Sequence, residues 1–547
     1  MAGLSLSARE RVRRDCGGRA VPAGRKRLMY SGNTPRNAER WQLIGNLTTL
    51  SALHLGDGNT REIHKDERTY PKEIEEKWAQ TPKYATVFMD HDSRPALPGT
   101  SLKGALRAWA VSRGLAKDLI GAVFGSPAVG GRVTFCDATL ARAIEPTNRA
   151  YRFWSKDRLT CLTPKVAIDP NTGAAQDGLL YHLEYLIPGS VFSWTIEGRC
   201  VSEDERRFLL FVLQNAFRDE TDSARVGADV ADGWGKVVWE PSEVKTLSVR
   251  EWLQQPLGPW RDSTRSVARE ALREWLRPSG PGRTGPAKDV VTIKMTLNFS
   301  GAMLVNDPTR QEKRVEGRTD GVGHSTARSE REERPYLPAS TIRGALRSQA
   351  RRIWQTLARS TDQDLDEMPL RRLGASNKED LTKLAHFQRL FGSTGWRSPI
   401  EIDDFKIDGD PVEHRQEFVA IDRFTGGAAE RLKFSADALW KPRFLGTLRL
   451  RLDRWSVGST EIIGPWGWLM MAYVLRDWME GDGRIGFGAA KGYGAFRATV
   501  EVLGDGVDAA TLGGILERKE SALSSPRLEE WDASLLKALA SVAGGEK

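Results

Sequence analysis

Ile293, Met295, Leu297 and Phe299 alternate with Lys294, Thr296 and Asn298, the period of two expected of a strand with one buried face. The stretch from Trp41 to Leu55 is a weaker counterpart, rich in Leu and Thr but less regular. Elsewhere the period lengthens. Leu102, Leu106 and Trp109 fall on one side of a helix, as do Ile342, Leu346 and Ile353. Thr100 or Ser101, and Ser340 in the second case, stand where N-caps are expected. A long apolar helix is predicted from Pro465 to Met479, followed by a glycine-rich loop, residues 481–494. Short strand-like runs separated by turn residues complete the pattern, which reads as an α+β fold.

The whole pattern occurs twice. Leu97-Pro98-Gly99-Thr100-Ser101-Leu102-Lys103-Gly104-Ala105-Leu106-Arg107 returns as Leu337-Pro338-Ala339-Ser340-Thr341-Ile342-Arg343-Gly344-Ala345-Leu346-Arg347. Phe124-Gly125-Ser126 returns as Phe391-Gly392-Ser393, Val166-Ala167-Ile168-Asp169 as Val419-Ala420-Ile421-Asp422, and Gly233-Trp234-Gly235 as Gly492-Tyr493-Gly494. Four landmarks in one order, roughly 250 residues apart, indicate a duplicated domain rather than a solenoid. The expected organisation is a basic arm over 1–40, a first domain over 41–246, a linker over 247–289, a second domain over 290–503 and a C-terminal tail over 504–547. The linker assignment rests on Pro278-Ser279-Gly280-Pro281-Gly282, preceded by a short helix-like stretch from Ser266 to Leu276.

Composition narrows the class. A chain of 547 residues exceeds one core, and 40% hydrophobic with 28% charged residues is the balance of a folded protein. No apolar run approaches the ~20 residues of a membrane span, and the N-terminus has no signal-peptide core, so a cytoplasmic protein without a membrane partner is expected. The cysteines, Cys16, Cys136, Cys161 and Cys200, form no CxxC pair, which argues against a structural zinc site. A net charge of +9 and an arginine-rich arm favour a polyanionic partner.

Two features could serve such a partner. Lys103 and Arg107 lie four apart, as do Arg343, Arg347 and Arg351, so each set shares a helix face beside free N–H groups at the helix start. The glycine-rich loop adds Arg484 and Lys491 and would let backbone amides approach phosphates; it lacks the GK[ST] of a P-loop. The segments around Ile168-Asp169 and Ile421-Asp422 each read as a projecting hairpin, over about 160–184 and 417–434. A solvated helix face, a flexible loop and ordinary surface hairpins are the bland readings of the same residues.

The order of these motifs resembles the RAMP superfamily, and more narrowly the backbone subunits of type III CRISPR effectors, the tandem arrangement being similar to the fused subunit of III-D-like complexes. The resemblance implies two ferredoxin-like (RRM-like) domains, each with a protruding thumb hairpin. It implies CRISPR RNA, complementary target RNA and other effector subunits as partners. Ile168, Asp169, Ile421, Asp422 and Arg423 are then thumb contacts, although Pro170 stands where the second copy has Arg423. Many members cut target RNA with a loop aspartate and a divalent metal, Mg or Mn. The positions implied are Asp66, with Asp57, Asp90 and Asp92 as rivals, and Asp320, in Gly317-Arg318-Thr319-Asp320. Two other readings are a purely structural subunit and a guide-processing endoribonuclease. The latter usually relies on histidine, and His54, His64 and His324 form no shared constellation.

Overall fold

The computed structural model describes residues 39–63, 83–147, 153–168, 175–219, 222–248, 265–266, 274–277, 289–307, 323–330, 332–358, 381, 384–393, 395–457 and 459–543. The first half runs β1 (Glu39–Thr49), α1 (Gly99–Ser112), β2 (Val133–Phe135), β3 (Ala138–Arg142), β4 (Thr160–Ile168), β5 (Ala175–Tyr185), β6 (Val191–Arg199), α2 (Glu203–Ala216) and β7 (Val237–Ser248). Its main sheet is antiparallel, with β1 central between β6 and β7, and with β2 and β3 on the far side of β6.

The second half repeats this as β8 (Val290–Phe299), α3 (Ala339–Ala358), β9 (Ile400–Ile402), β10 (Phe405–Ile407), β11 (Glu413–Ile421), β12 (Ala428–Trp440), β13 (Arg443–Arg451), α4 (Trp466–Glu480) and β14 (Phe496–Leu503). Here β8 is central between β13 and β14, and β9 and β10 pair with β13. Both halves therefore share one β-α-β-β-α-β frame, interrupted by the hairpins β4–β5 and β11–β12 before the third frame strand.

The alternation in β8 holds: Ile293, Met295 and Leu297 are buried, and helices α3 and α4 close over that face through Ile342, Leu346, Trp354, Leu469 and Trp478. The less regular β1 still buries Trp41, Leu43 and Leu47 beneath Leu102, Leu106 and Leu209. Burial alternates through Trp41, Leu43, Gly45, Leu47 and Thr49, and the register shift against β7 at Ile44 and Gly45 leaves Ser242 as an extra residue on β7. Gly45 is required there, since a Cβ would lie 2.6 Å from the Trp239 ring nitrogen.

Three features go beyond the local sequence pattern, and the last corrects an expectation. The 247–289 segment is in part structure of the first half: β7 continues to Ser248, residues 265–266 add a strand beside it, and Trp275 meets Trp41 edge-on at 5.5 Å. In the C-terminal segment, α5 (Val507–Leu516) and α6 (Pro526–Ala543) pack on α4, with Trp531 stacked on Trp468 at 5.8 Å and fully buried. Finally, no side chain of the N-cap closes α1, so Thr100 and Ser101 do not serve as expected; the cap comes from a turn of the neighbouring strand pair, as described next.

Candidate nucleic-acid interface

The turns between β2 and β3 and between β9 and β10 carry the aspartates that close the helix starts. The Gly99 N–H donates to Asp137 Oδ1 at 2.7 Å, and the Ala339 N–H donates to Asp404 Oδ1 at 2.8 Å. A carboxylate satisfies these orphan donors and complements the helix dipole. The helix starts are thus already occupied by an internal carboxyl group, and Thr100, Ser101 and Ser340 do not cap. Burial raises the Asp404 carboxyl to about 7, with Asp403, Glu330 and Asp232 adding to the effect against the favourable bond from Ala339.

The cations divide by position. Arg107 is exposed and Lys103 partly so, and among the described residues neither has an ion-pair partner. Arg347 lies over the Phe387 ring, its guanidinium carbon 5.4 Å from the centroid. Arg343 turns toward the first half: it pairs with Asp232 and donates to the Ala231 carbonyl and, at 2.8 Å, to the Ile400 carbonyl.

Both glycine-rich loops fold in the same way. Ala228 N donates to His54 O at 2.8 Å and Gly235 N to Ala52 O at 2.9 Å; Phe487 N donates to Leu304 O at 2.7 Å and Gly494 N to Ala302 O at 2.9 Å. Residues 225–236 and 484–495 therefore correspond position by position. Gly227 and Gly486 adopt φ of +88° and +93°, and a Cβ on either would lie 2.2 Å from the carbonyl oxygen of His54 or Leu304. The glycines serve a close approach of loop to strand end. Arg484 donates to the Gly481 and Gly483 carbonyls, both at 2.8 Å.

Each loop also grips its neighbouring hairpin. In the first half Lys165, on β4, pairs with Asp229 of the loop and lies 4.6 Å from the Trp234 ring centroid. In the second half the cation is on the loop: Lys491 Nζ sits 4.6 to 5.0 Å from the rings of Phe418, Phe434 and Phe487. The register of the two hairpins, each bulged between Val166 and Ile168 or between Val419 and Ile421, sets Lys165 and Phe418 at the same position. The two copies keep one cation–π clamp and exchange which side supplies the charge.

At the tip of β11–β12, Asp422 accepts the backbone N–H groups of Phe424 and Thr425, each at 2.8 Å, and these bonds lower its carboxyl below the ordinary range. Asp422 thus shapes the turn, which leaves Arg423 exposed and Phe424 wholly exposed; Ile421 and Val419 are exposed beside them. On the first hairpin Val166, Leu180 and Tyr181 are exposed, Ile168 ends β4, and Asp169 lies outside the described residues. The base of this hairpin is held by Glu184, fully buried, which accepts from Arg158 at 2.7 and 2.8 Å, Thr160 at 2.6 Å and the Val87 N–H at 2.9 Å.

Asp66 and Asp320 both lie outside the described residues. Of their rivals, Asp57 accepts from Thr86 at 2.6 Å and from the Asn59 N–H at 2.9 Å, and Asp90 accepts the N–H groups of Asp92 and Arg94 at 2.9 Å; both organise turns. No group of three His, Cys, Asp or Glu able to hold a metal occurs among the described residues. His54 is buried with Nδ1 2.6 Å from Glu184 O, and His324 packs on Phe434 and Phe487 at 5.5 and 4.8 Å.

The interdomain ion chain was not foreseen from the sequence. Arg225 Nη2 reaches Asp403 at 2.6 Å, Asp403 accepts Arg449 at 2.7 and 2.9 Å, and Arg449 lies 3.6 Å from Glu401. Although burial opposes ionisation, the surrounding arginines hold Asp403 far below, and Glu401 near 2, against their usual values. Two acids two apart, Glu401 and Asp403, and two arginines two apart, Arg449 and Arg451, in otherwise apolar runs were the available signal. No helix among the described residues is long and apolar enough to cross a membrane. A family model described as the RAMP superfamily matches residues 46–238 and 318–497. No curated protein matches the sequence.

Proposed function

Because the chain belongs to the RAMP superfamily, whose members generally bind CRISPR RNA within multi-subunit complexes, we propose that it is a backbone subunit of a type III effector that holds a guide–target RNA duplex across both halves. The frame strands run in the spatial order fourth, first, third, second, which fits the ferredoxin-like domain implied by the resemblance. The hairpins β4–β5 and β11–β12 are its thumbs.

The observation that carries the reading is the duplicated hairpin, clamped by a cation–π contact at its glycine loop and presenting exposed apolar side chains at its bulge, and in the second copy also at its tip. Exposed Val419, Ile421 and Phe424 are costly on a surface that meets only water, whereas bases offer them a stacking partner. Arg423 beside them and Arg107 and Arg347 on the helices supply charge for the phosphates. Lys103 and Arg343 share one position, and in the second half that position holds protein, so RNA contact is assigned to the others.

Target-RNA cleavage at Asp66 and Asp320, with Mg or Mn, is the part of the proposal that rests on the resemblance. A metal would offset the charge developing on the scissile phosphate. The described residues present no donor set that fits one, so no step is derived through it. The guide-processing reading is disfavoured because His54 is tied to a backbone oxygen in the core and His324 is wedged between rings. With a guide loaded and a complementary RNA supplied, Asp66→Ala and Asp320→Ala should each remove a specific cut, seen as loss of one product on a sequencing gel. Cutting unchanged in the double variant would leave the structural-subunit reading in its place.

A further inference from the structure

One surface joins the two halves, and the duplication supplies it twice. The glycine loop of the first half sits on the start of α3 and on the turn after β9. Asp232 meets Arg343, Arg225 meets Asp403 at 2.6 Å, and the Tyr185 hydroxyl donates to Glu330 at 2.8 Å. Val230 and Gly233 are buried in the joint, and a Cβ on Gly233 would come within 2.9 Å of the Ile402 carbonyl.

The second half carries the same loop at the opposite end of the chain's frame, with nothing over it among the described residues. Ala489, Lys491 and Gly492, the counterparts of Val230, Asp232 and Gly233, are all exposed. Arg484 stands at the position of Arg225, Lys491 at that of Asp232, and Ala438 at that of Tyr185. The first half carries the receiving face, with Lys103 at the position of Arg343 and Cys136 at that of Asp403.

A second copy stacked head to tail in this geometry would set Lys491 against Lys103. Arg484 would meet a thiol where Arg225 meets a carboxylate, with only Glu197 and Asp137 acting on that thiol. Ala438 has no hydroxyl to replace that of Tyr185. Of the three side-chain pairs of the joint, Asp232–Arg343 is reversed in sign, Tyr185–Glu330 loses its hydroxyl, and Arg225–Asp403 is weakened.

We propose that the outward loop of the second half, residues 484–494, docks a different chain: a domain of this same fold bearing carboxylates where this chain has Lys103 and Cys136. The Lys491 charge keeps a second copy of the chain off that surface. The joint thus sets the order of subunits by charge, with the fold of both sides unchanged.

The test is sedimentation velocity on the full chain, free of nucleic acid and at low salt, so that it does not depend on the RNA reading. Wild type should sediment as a monomer at all concentrations. Lys103→Glu with Cys136→Asp gives the first half the acidic face that the loop fits. That variant should self-associate at least about tenfold more tightly than wild type, and further Lys491→Glu should reverse it. Should that pair disturb the fold, Lys491→Asp alone, which restores the sense of the Asp232–Arg343 pair against Lys103, should also self-associate. The proposal is overturned if wild type already stacks and Lys491→Asp weakens the stack. It is equally overturned if the folded variants stay monomeric. If Lys491→Asp leaves the mass unchanged and Arg484→Ala, which keeps the Lys491 clamp, lowers the affinity for CRISPR RNA, the loop is an RNA contact and not a docking surface.

Discussion

Asp404 ties helix capping to the joint between the halves. Its carboxyl closes the start of α3, in a buried setting shared with Asp403, Glu330 and Asp232. With its folded value raised from 3.8 to about 7, the folded state holds a proton that the unfolded chain has released. The contribution is therefore complete below about pH 4 and is lost as pH rises through 7. His182 and His386, held near 4 by burial, act in the opposite sense, adding stability as pH rises from about 4 to 6.5. The difference between wild type and Asp404→Asn isolates the aspartate. Denaturant midpoints at pH 5 and pH 8 should show wild type losing stability relative to the variant, whose amide oxygen still accepts from Ala339. Parallel profiles would mean that the carboxyl ionises in the folded protein without cost.

At the level of elements, the hairpins separate what holds the protein from what meets a partner. Lys165 on Trp234, and Lys491 among three phenylalanines, fix each hairpin to its loop, while the tip of β11–β12 leaves Phe424 wholly exposed. Phe424→Ala should leave the melting temperature unchanged and weaken binding to a guide–target duplex by about 1–3 kcal/mol, the scale of one base stack. Unchanged affinity would remove the tip from the interface. The hairpins, the two helices and β8 were legible because each is written in local periodicity or in a repeated motif. The capping role of Asp137 and Asp404 was not, because each meets its helix start only once strands distant in sequence have paired. Nor was α6 legible as packed structure, since the stacking of Trp531 on Trp468 is a contact between distant segments. The glycine loop was legible as a loop, but the fit of its glycines against a strand end was not, since that is a contact with a distant segment.

Across the whole molecule, duplication has been followed by divergence at the surfaces the copies do not bury together. The frame, the caps and the loop backbone are held in common, whereas Asp232 has become Lys491 and Lys165 has exchanged roles with Phe418. A joint built from Arg225, Asp403, Arg343 and Asp232 holds the halves in one order, which sets two hairpins on one chain at a fixed spacing. That is the arrangement required of a subunit reading a single long RNA at two places. The most direct measurement is to purify the chain from cells carrying a CRISPR array and to sequence the nucleic acid that comes with it. The account predicts CRISPR RNA of discrete length, lost when Arg107, Arg347 and Arg423 are together changed to alanine. Recovery of no RNA, or of unselected RNA whose amount the triple variant does not change, would contradict it.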